Sequence, residues 1–285
     1  LMKGTEHLCK DGKPLRVRTI RLRNTLSQGV ALPLSILVDG QYEVGQDVTE
    51  VLGVKKWEPY IPAELHGKVK GTRPSWIPKT DEPRLQSTPD ALEEIKKMGK
   101  VVGTMKMDGS SITCFVKDNV FGITSRNMEL IETPDNAYWQ AAREAKIEEA
   151  MRKFFPCGPG GGDYAIQGEL CGPGIQGNRM GFEKLTLCWY NVYHIGAGIY
   201  MSHKTLIDFC LSTNLTWCEV VFQGEMPEGA TLQTLLGLAN ELKYKNGSPA
   251  EGIVWRPVME QRSETLGSRM SFKTISNVFL EKYKE

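Results

Sequence analysis

The sequence predicts an α+β fold of antiparallel sheets with helices packed on them, preceded by a small β module. Two observations carry this. Residues 15 to 54 read as short β segments and turns with no helical period, and from about residue 88 onward strands and helices alternate. In the first stretch Leu15–Leu22 alternates apolar and basic residues, Gly29–Leu37 is apolar, and Asp39-Gly40 and Gly45-Gln46-Asp47 have turn chemistry. Prolines 59, 62, 74, 78, 83 and 89 then cluster between Trp57 and Pro89, which reads as a linker over the surface. The expected domains are 1–80, β module and linker, and 81–285, the larger domain.

Within that larger domain, Thr88-Pro89 is expected to cap a helix running to Met98 with Gly99 as its stop. Val101–Met107 reads as a strand, Asp108-Gly109 as a turn, Ser111–Val116 as its partner and Val120–Ser125 as a third strand. A helix is expected from Thr133-Pro134 through Ala137, Ala141, Ile147, Ala150 and Met151 to about Phe154. Strands follow at Tyr164–Leu170, Leu185–His194 and Trp217–Phe222, with shorter helices over Lys204–Leu211 and Thr231–Leu242. The Gly158–Gly162 run has neither the phosphate-loop lysine nor the dinucleotide spacing, and there is no internal repeat.

Composition narrows the function classes. With 285 residues, 40% hydrophobic and 24% charged, the chain has a globular composition and enough length for a substantial core. A formal net charge of +1 gives no whole-chain reason to expect nucleic acid or membrane. Residues 1–24 are different: seven basic residues against Glu6 and Asp11 leave a local balance of +5, read either as a phosphate-binding face or as a solvated ribbon. The seven cysteines are odd in number and contain no Cys-x-x-Cys, so disulfides and zinc are not expected and a reducing cytoplasm is. No apolar run approaches the roughly 18 residues that span a bilayer. Because the chain opens on Leu1, its natural start is expected upstream.

The chemistry resides in four ordered stretches: Lys106-Met107-Asp108-Gly109, Gln167-Gly168-Glu169, Glu251-Gly252-Ile253-Val254 and Ser271-Phe272-Lys273. A lysine at neutral pH is an ammonium ion, and it becomes a nucleophile only after desolvation or a nearby positive charge removes its proton. Lys106 ends an apolar run, where partial burial does this; the competing reading is a solvated lysine at a hairpin turn. Glu169 and Glu251 lie on runs apolar enough to be interior strands, and a buried carboxylate requires a metal, a hydroxyl or a cation. Taken one at a time, each fits a salt bridge at a sheet edge; their order behind Lys106 favours chemistry. Attack on a phosphate develops charge on its oxygens, which a divalent metal and a further lysine, Lys273, offset.

These stretches resemble motifs I, III, IV and V of the covalent nucleotidyltransferase superfamily of ATP-dependent ligases and mRNA capping enzymes. Ser125-Arg126-Asn127 sits where that superfamily has motif Ia, and Leu187–Val192 resembles motif IIIa, whose aromatic residue stacks on the purine. Register assigns that role to Tyr190, with Trp189 as the competing choice. Arg18–Arg23, Ser27–Pro33, Asp47–Val54 and Asp81–Gln86 extend the similarity to ATP-dependent RNA ligases of the Naegleria and Deinococcus type. The resemblance implies a small, incomplete OB-like domain followed by an ATP-grasp-like nucleotidyltransferase domain, acting as a monomer on RNA ends or a nicked duplex.

The same resemblance implies ATP as substrate, Lys106 as the residue that takes AMP, and Glu169, Glu251 and Lys273 as catalytic partners. It implies nucleotide contacts from Arg84, Gln86, Asp108, Gly109, Arg126, Tyr190, Trp189 and Lys273, and Mg²⁺ or Mn²⁺ held through water by Asp108, Glu169 and Glu251. Arg16, Arg18, Arg21 and Arg23 are candidates for RNA phosphates. One departure stands out: Ser271 occupies a position where many relatives have a second lysine, and Arg269 lies one step further back. A DNA ligase, a GTP-using capping enzyme and a non-catalytic RNA-binding protein of the same fold are the competing readings.

Overall fold

The computed structural model describes residues 20–22, 25–27, 31–37, 40–54, 67–155 and 162–283. The chain divides into two compact units, Leu1–Tyr60 and Ile61–Glu285. In the first, β1 (Ile20–Leu22) and β2 (Thr25–Ser27) form a two-stranded antiparallel hairpin. The expected strand over Gly29–Leu37 is not one: Leu34–Ile36 is a 3₁₀ turn, entered from Pro33. Gly45 turns with φ +90° and the Gln46 amide closes on the Glu43 carbonyl, as that glycine suggested. Arg16, Arg18 and Arg23 lie outside the described residues, as does the side chain of Arg21.

The second unit is built on two antiparallel sheets. Its elements in chain order are β3 (Val69–Thr72), α1 (Asp90–Ile95), β4 (Lys100–Lys106), β5 (Ser110–Lys117), β6 (Val120–Thr124), β7 (Met128–Leu130), α2 (Ala137–Glu144), α3 (Ile147–Phe154), β8 (Tyr164–Cys171), β9 (Thr186–His194), β10 (Ile199–Tyr200), α4 (His203–Thr213), β11 (Val220–Glu225), α5 (Leu232–Glu241), β12 (Gly252–Pro257), β13 (Arg262–Ser263), β14 (Ser268–Arg269), β15 (Phe272–Ile275) and α6 (Asn277–Tyr283). The larger sheet runs β10-β9-β8-β5-β6-β7-β3 and the smaller β11-β4-β12-β15.

Each sheet has one face in a core. Ile112, Cys114, Ile123, Ile166, Leu187 and Trp189 of the larger sheet pack against Trp139, Ile147, Met151, Leu206 and Phe209 from α2, α3 and α4. Ile253, Trp255 and Phe272 of the smaller sheet pack against Leu92, Ile95, Leu235 and Ala239 from α1 and α5. Helices of six to ten residues do not hold in water alone, so these apolar contacts, not propensity, keep α1, α3 and α5 folded. The opposite faces of the two sheets look at each other.

Four expectations need correction. β4 and β5 are not hairpin partners: β4 pairs with β11 and β12, β5 with β6 and β8, and Lys106–Gly109 carries the chain from one sheet to the other. The proline-rich stretch is only in part a surface linker, since Val69–Thr72 is an edge strand on β7, and Arg73 and Ile77 are buried. The helix from Thr133 is two helices broken at Lys146, whose φ is +51°; its cap is Asn136, which accepts the Tyr138 and Trp139 amides, while Thr133 donates to Asp135. Thr88 likewise donates to the Arg84 carbonyl instead of capping α1. α5 opens on Thr231, which forms a full capping box with Thr234. The run Trp217–Phe222 gives β11 from Val220, and α6 has no counterpart in the sequence reading.

Candidate active site

Between the facing sheets of the second unit lies a cavity of about 710 Å³. The smaller sheet contributes Thr104, Lys106, Val254, Arg256 and Lys273, and the larger sheet contributes Ser110, Ser111, Glu169 and Tyr190. Strand alternation accounts for most of this set: Lys106, Thr104, Val254 and Arg256 face the cavity, while Ile253 and Trp255 between them face the other way.

Lys106 is the last residue of β4 and stands opposite Gly252 of β12. Its Nζ lies 2.6 Å from Glu251 Oε2. A side chain at position 252 does not fit, because a Cβ there would come 2.0 Å from the Thr274 carbonyl oxygen. Gly109 is equally confined, its missing Cβ falling 2.6 Å from the Leu170 carbonyl oxygen. That close approach lets the chain cross from β4 to the larger sheet, which explains the Asp-Gly better than a hairpin does.

Burial disfavours the charge on Lys106, but Glu251, then Glu169 and Asp108, outweigh it and hold the ammonium above its ordinary range. Without ligand the lysine is therefore protonated. Burial pushes Glu169 up to about 7, opposed by Lys106 and reinforced by Glu251 and Asp108. Its Oε2 is buried with no hydrogen-bond partner. An orphaned carboxylate oxygen beside Glu251 suits a hard divalent cation or a ribose hydroxyl. Asp108 is buried and accepts from Arg179 Nη1 at 3.3 Å. Among the described residues no three His, Cys, Asp or Glu form a ready-made metal cluster.

Lys273 lines the cavity opposite Val254, and burial, Lys106 and Arg84 lower its pKa. Arg84 is exposed but bridges to Lys273 through the backbone, where the Lys273 amide reaches the Pro83 carbonyl. Gln86 is exposed in a 3₁₀ turn and does not line the cavity. Arg126 sits at the cavity wall, 63% exposed, paired with Asp81 at 2.7 Å.

Tyr190 and Trp189 are separated by a bulge. Gln167 pairs with Asn191 and Gly168 with Trp189, leaving Tyr190 as the extra residue. Trp189 is wholly buried in the helix-side core, while Tyr190 lines the cavity with its hydroxyl near those of Thr80 and Ser111. The structure thus brings together Lys106, Asp108, Gly109, Arg126, Glu169, Tyr190, Glu251 and Lys273, and leaves Trp189, Gln86 and Arg84 off the cavity wall.

Three residues went unnoticed in the sequence. Arg256 lines the cavity, donates to Ser271 Oγ at 3.0 Å and Glu82 Oε1 at 2.9 Å, and lies 5.7 Å from the Tyr190 ring centre. Glu82 also lines the cavity. The alternation Gly252, Val254, Arg256 behind Glu251 was the signal available for Arg256. Arg269 is engaged elsewhere, by Glu260, Asn191 and the Tyr200 ring. Tyr244 bonds to the backbone of both Lys106 and Glu251.

The family model for RNA ligase matches residues 99–275. The chain belongs to the RNA ligase family. Among solved structures, a lysine-to-methionine variant of Naegleria gruberi RNA ligase with AMP and Mn is 33% identical, with TM-score 0.67, covering 96% of this chain and 79% of its own. A glutamate-to-alanine variant of that RNA ligase with ATP and Mn is 33% identical over 97% and 80%, also at 0.67. The same ligase with PPi is 32% identical over 100% and 84%, with TM-score 0.67. No curated protein sequence matches the chain significantly. The family match spans all four ordered stretches. No helix of the described residues is long and apolar enough to cross a membrane.

Proposed function

We propose that this chain is an ATP-dependent RNA ligase that joins a 3′-hydroxyl to a 5′-phosphate through a lysyl-adenylate on Lys106. The observation that carries the assignment to Lys106 is its Nζ held 2.6 Å from Glu251 inside a cavity that also presents Glu169 and Lys273. In the first step Lys106 Nζ, deprotonated, bonds to the α-phosphorus of ATP as the bond to pyrophosphate breaks. In the second an oxygen of the RNA 5′-phosphate attacks that phosphorus and frees the lysine. In the third the 3′-hydroxyl attacks the RNA phosphate and AMP leaves. Each is a phosphoryl transfer governed by positioning and charge neutralisation.

The residues have separable parts in this. Lys273 offsets charge on the phosphate oxygens, Tyr190 stacks on the adenine, and Arg126 and Arg84 hold ribose or phosphate at the rim. Glu169, Glu251 and Asp108 would hold Mn²⁺ or Mg²⁺ largely through water; when bound, the ion stabilises developing negative charge and removes the anionic clamp that keeps Lys106 protonated. The test is incubation with ATP labelled in its α-phosphate and Mn²⁺, without RNA. Wild type acquires acid-stable label and Lys106→Ala does not; equal labelling of the variant refutes the nucleophile.

The first unit is the OB-like module in this reading, the second the nucleotidyltransferase, and the enzyme acts as a monomer. Arg16, Arg18, Arg21 and Arg23 serve RNA phosphates, so neutralising all four should flatten the salt dependence of RNA binding while lysyl-adenylate formation survives. An unaltered salt slope would return the ribbon to a solvating role.

A further inference from the structure

The joint between Lys106 and Glu251 runs through a tyrosine. β4 and β12 end their register at the pair Lys106 and Gly252. One residue on, the Tyr244 hydroxyl donates to the Lys106 carbonyl oxygen at 2.8 Å and accepts the Glu251 amide at 3.0 Å. A single oxygen therefore stands between a backbone acceptor on the nucleophile and a backbone donor on the residue that clamps it. The ring is 5% exposed, packed among Met105, Met107, Cys171 and Ala250. Burial also raises the pKa of the hydroxyl, so it keeps the proton it donates.

The loop that carries Tyr244 is itself tied down. The Tyr244 amide donates to the Ser248 carbonyl, the Gly247 amide to the Tyr244 carbonyl, and the Ala250 amide to the Leu242 carbonyl. Asn246 and Ser248 side chains both donate to the Arg179 carbonyl, and Arg179 reaches Asp108. A rigid ring at the end of a pinned loop fixes where its hydroxyl sits, and with it the separation of the two strand ends.

We infer that Tyr244 is a positioning residue for lysine adenylylation: its hydroxyl spaces the Lys106 and Glu251 backbones so that Nζ is aimed along the cavity. This rests on the ligase reading. Near-attack geometry is sensitive to shifts on the order of 1 Å, which is the scale of deleting one hydroxyl from between two backbones.

Tyr244→Phe removes the bridge and keeps the packing. Lysyl-adenylate formation should fall about tenfold or more in kcat, with KM for ATP within about threefold of wild type. Sealing of RNA supplied already adenylated, which does not use Lys106 as nucleophile, should fall less. Ser248→Ala, which removes one of several ties of the same loop and leaves the Tyr244 hydroxyl between its two partners, should cost adenylylation much less than Tyr244→Phe does and guards against a general loop effect. An unchanged rate in Tyr244→Phe, an equal loss of both reactions, or an equal loss in Ser248→Ala overturns the proposal. A wild-type protein that takes no label from ATP would remove the ligase reading itself, an outcome distinct from a labelled wild type matched by Tyr244→Phe.

Discussion

Glu82 and Arg256 form an ion pair beneath Tyr190, and cutting it is the most demanding test of how the cavity is held. Arg256 Nη2 lies 2.9 Å from Glu82 Oε1, with the side chains only 8% and 11% exposed. Burial alone would raise the Glu82 pKa, yet Arg256, then Arg269 and the Ser271 hydroxyl, hold it below the ordinary carboxylate range. Glu82→Gln takes the hydrogen-bonded counter-charge from the buried guanidinium and leaves Glu260 as the remaining carboxylate acting on it; breaking a buried pair in this way costs roughly 3–5 kcal/mol, whereas replacing both partners by apolar residues of similar size is often neutral. Urea denaturation should therefore show Glu82→Gln less stable by about that much, and Glu82→Leu with Arg256→Met should recover most of it. Because the folded pKa of Glu82 is depressed, its contribution is complete above the unfolded value near 4.5 and disappears as pH falls through the folded value. The wild-type advantage over Glu82→Gln should shrink in acid. A loss under about 1 kcal/mol at pH 7, the scale of an exposed pair, or strict additivity in the double variant would refute the reasoning.

His203, at the start of α4, has its pKa lowered to about 4 by burial and by the Arg256 charge, so the unfolded chain binds the extra proton between about 6.5 and 4. Its stabilisation is present above about 6.5 and is lost as pH falls toward 4, by at most about 3 kcal/mol; His203→Asn should flatten the urea midpoint across that window, and an unchanged slope would count against it. Gly252→Ala places a Cβ 2.0 Å from the Thr274 carbonyl oxygen, so β12 and β15 must separate. Thermal unfolding should register this as one of the larger single-site losses, while a variant as stable as wild type would show that the strands can give way.

Much of the site could be read in the sequence because its parts are local. Lys106, Glu169, Glu251 and Lys273 each lie on or next to a strand whose apolar run is visible by itself, and their order is a property of the chain. Partners were harder to read. The Val101–Met107 run shows a strand, but nothing in it says that its neighbour is Gly252–Pro257, about 150 residues away, instead of Ser110–Lys117 next door. Arg256 and Tyr244 act through groups distant in sequence; alternation behind Glu251 puts Arg256 on the cavity side without naming its partner, and no local pattern marks Tyr244. The choice between Trp189 and Tyr190 hinged on a bulge opposite Gln167 and Gly168, which alternation by itself does not foresee.

That bulge shows how tightly site and core are joined. On a regular strand, Tyr190 and Val192 would share one face and Trp189 and Asn191 the other. The extra residue puts Tyr190 and Asn191 on the cavity side, with Trp189 and Val192 in the core on either side. Asn191 then bonds to Gln167 and to Arg269, while Tyr190 reaches Thr80 and Ser111. A one-residue change of register at this point would send the Trp189 indole into the cavity and strip the core of one of its largest wholly buried side chains. The hydrophobic term that holds Trp189 inward is thus the same term that aims Tyr190 outward, and the shape of the cavity wall is set by packing on the far side of the sheet.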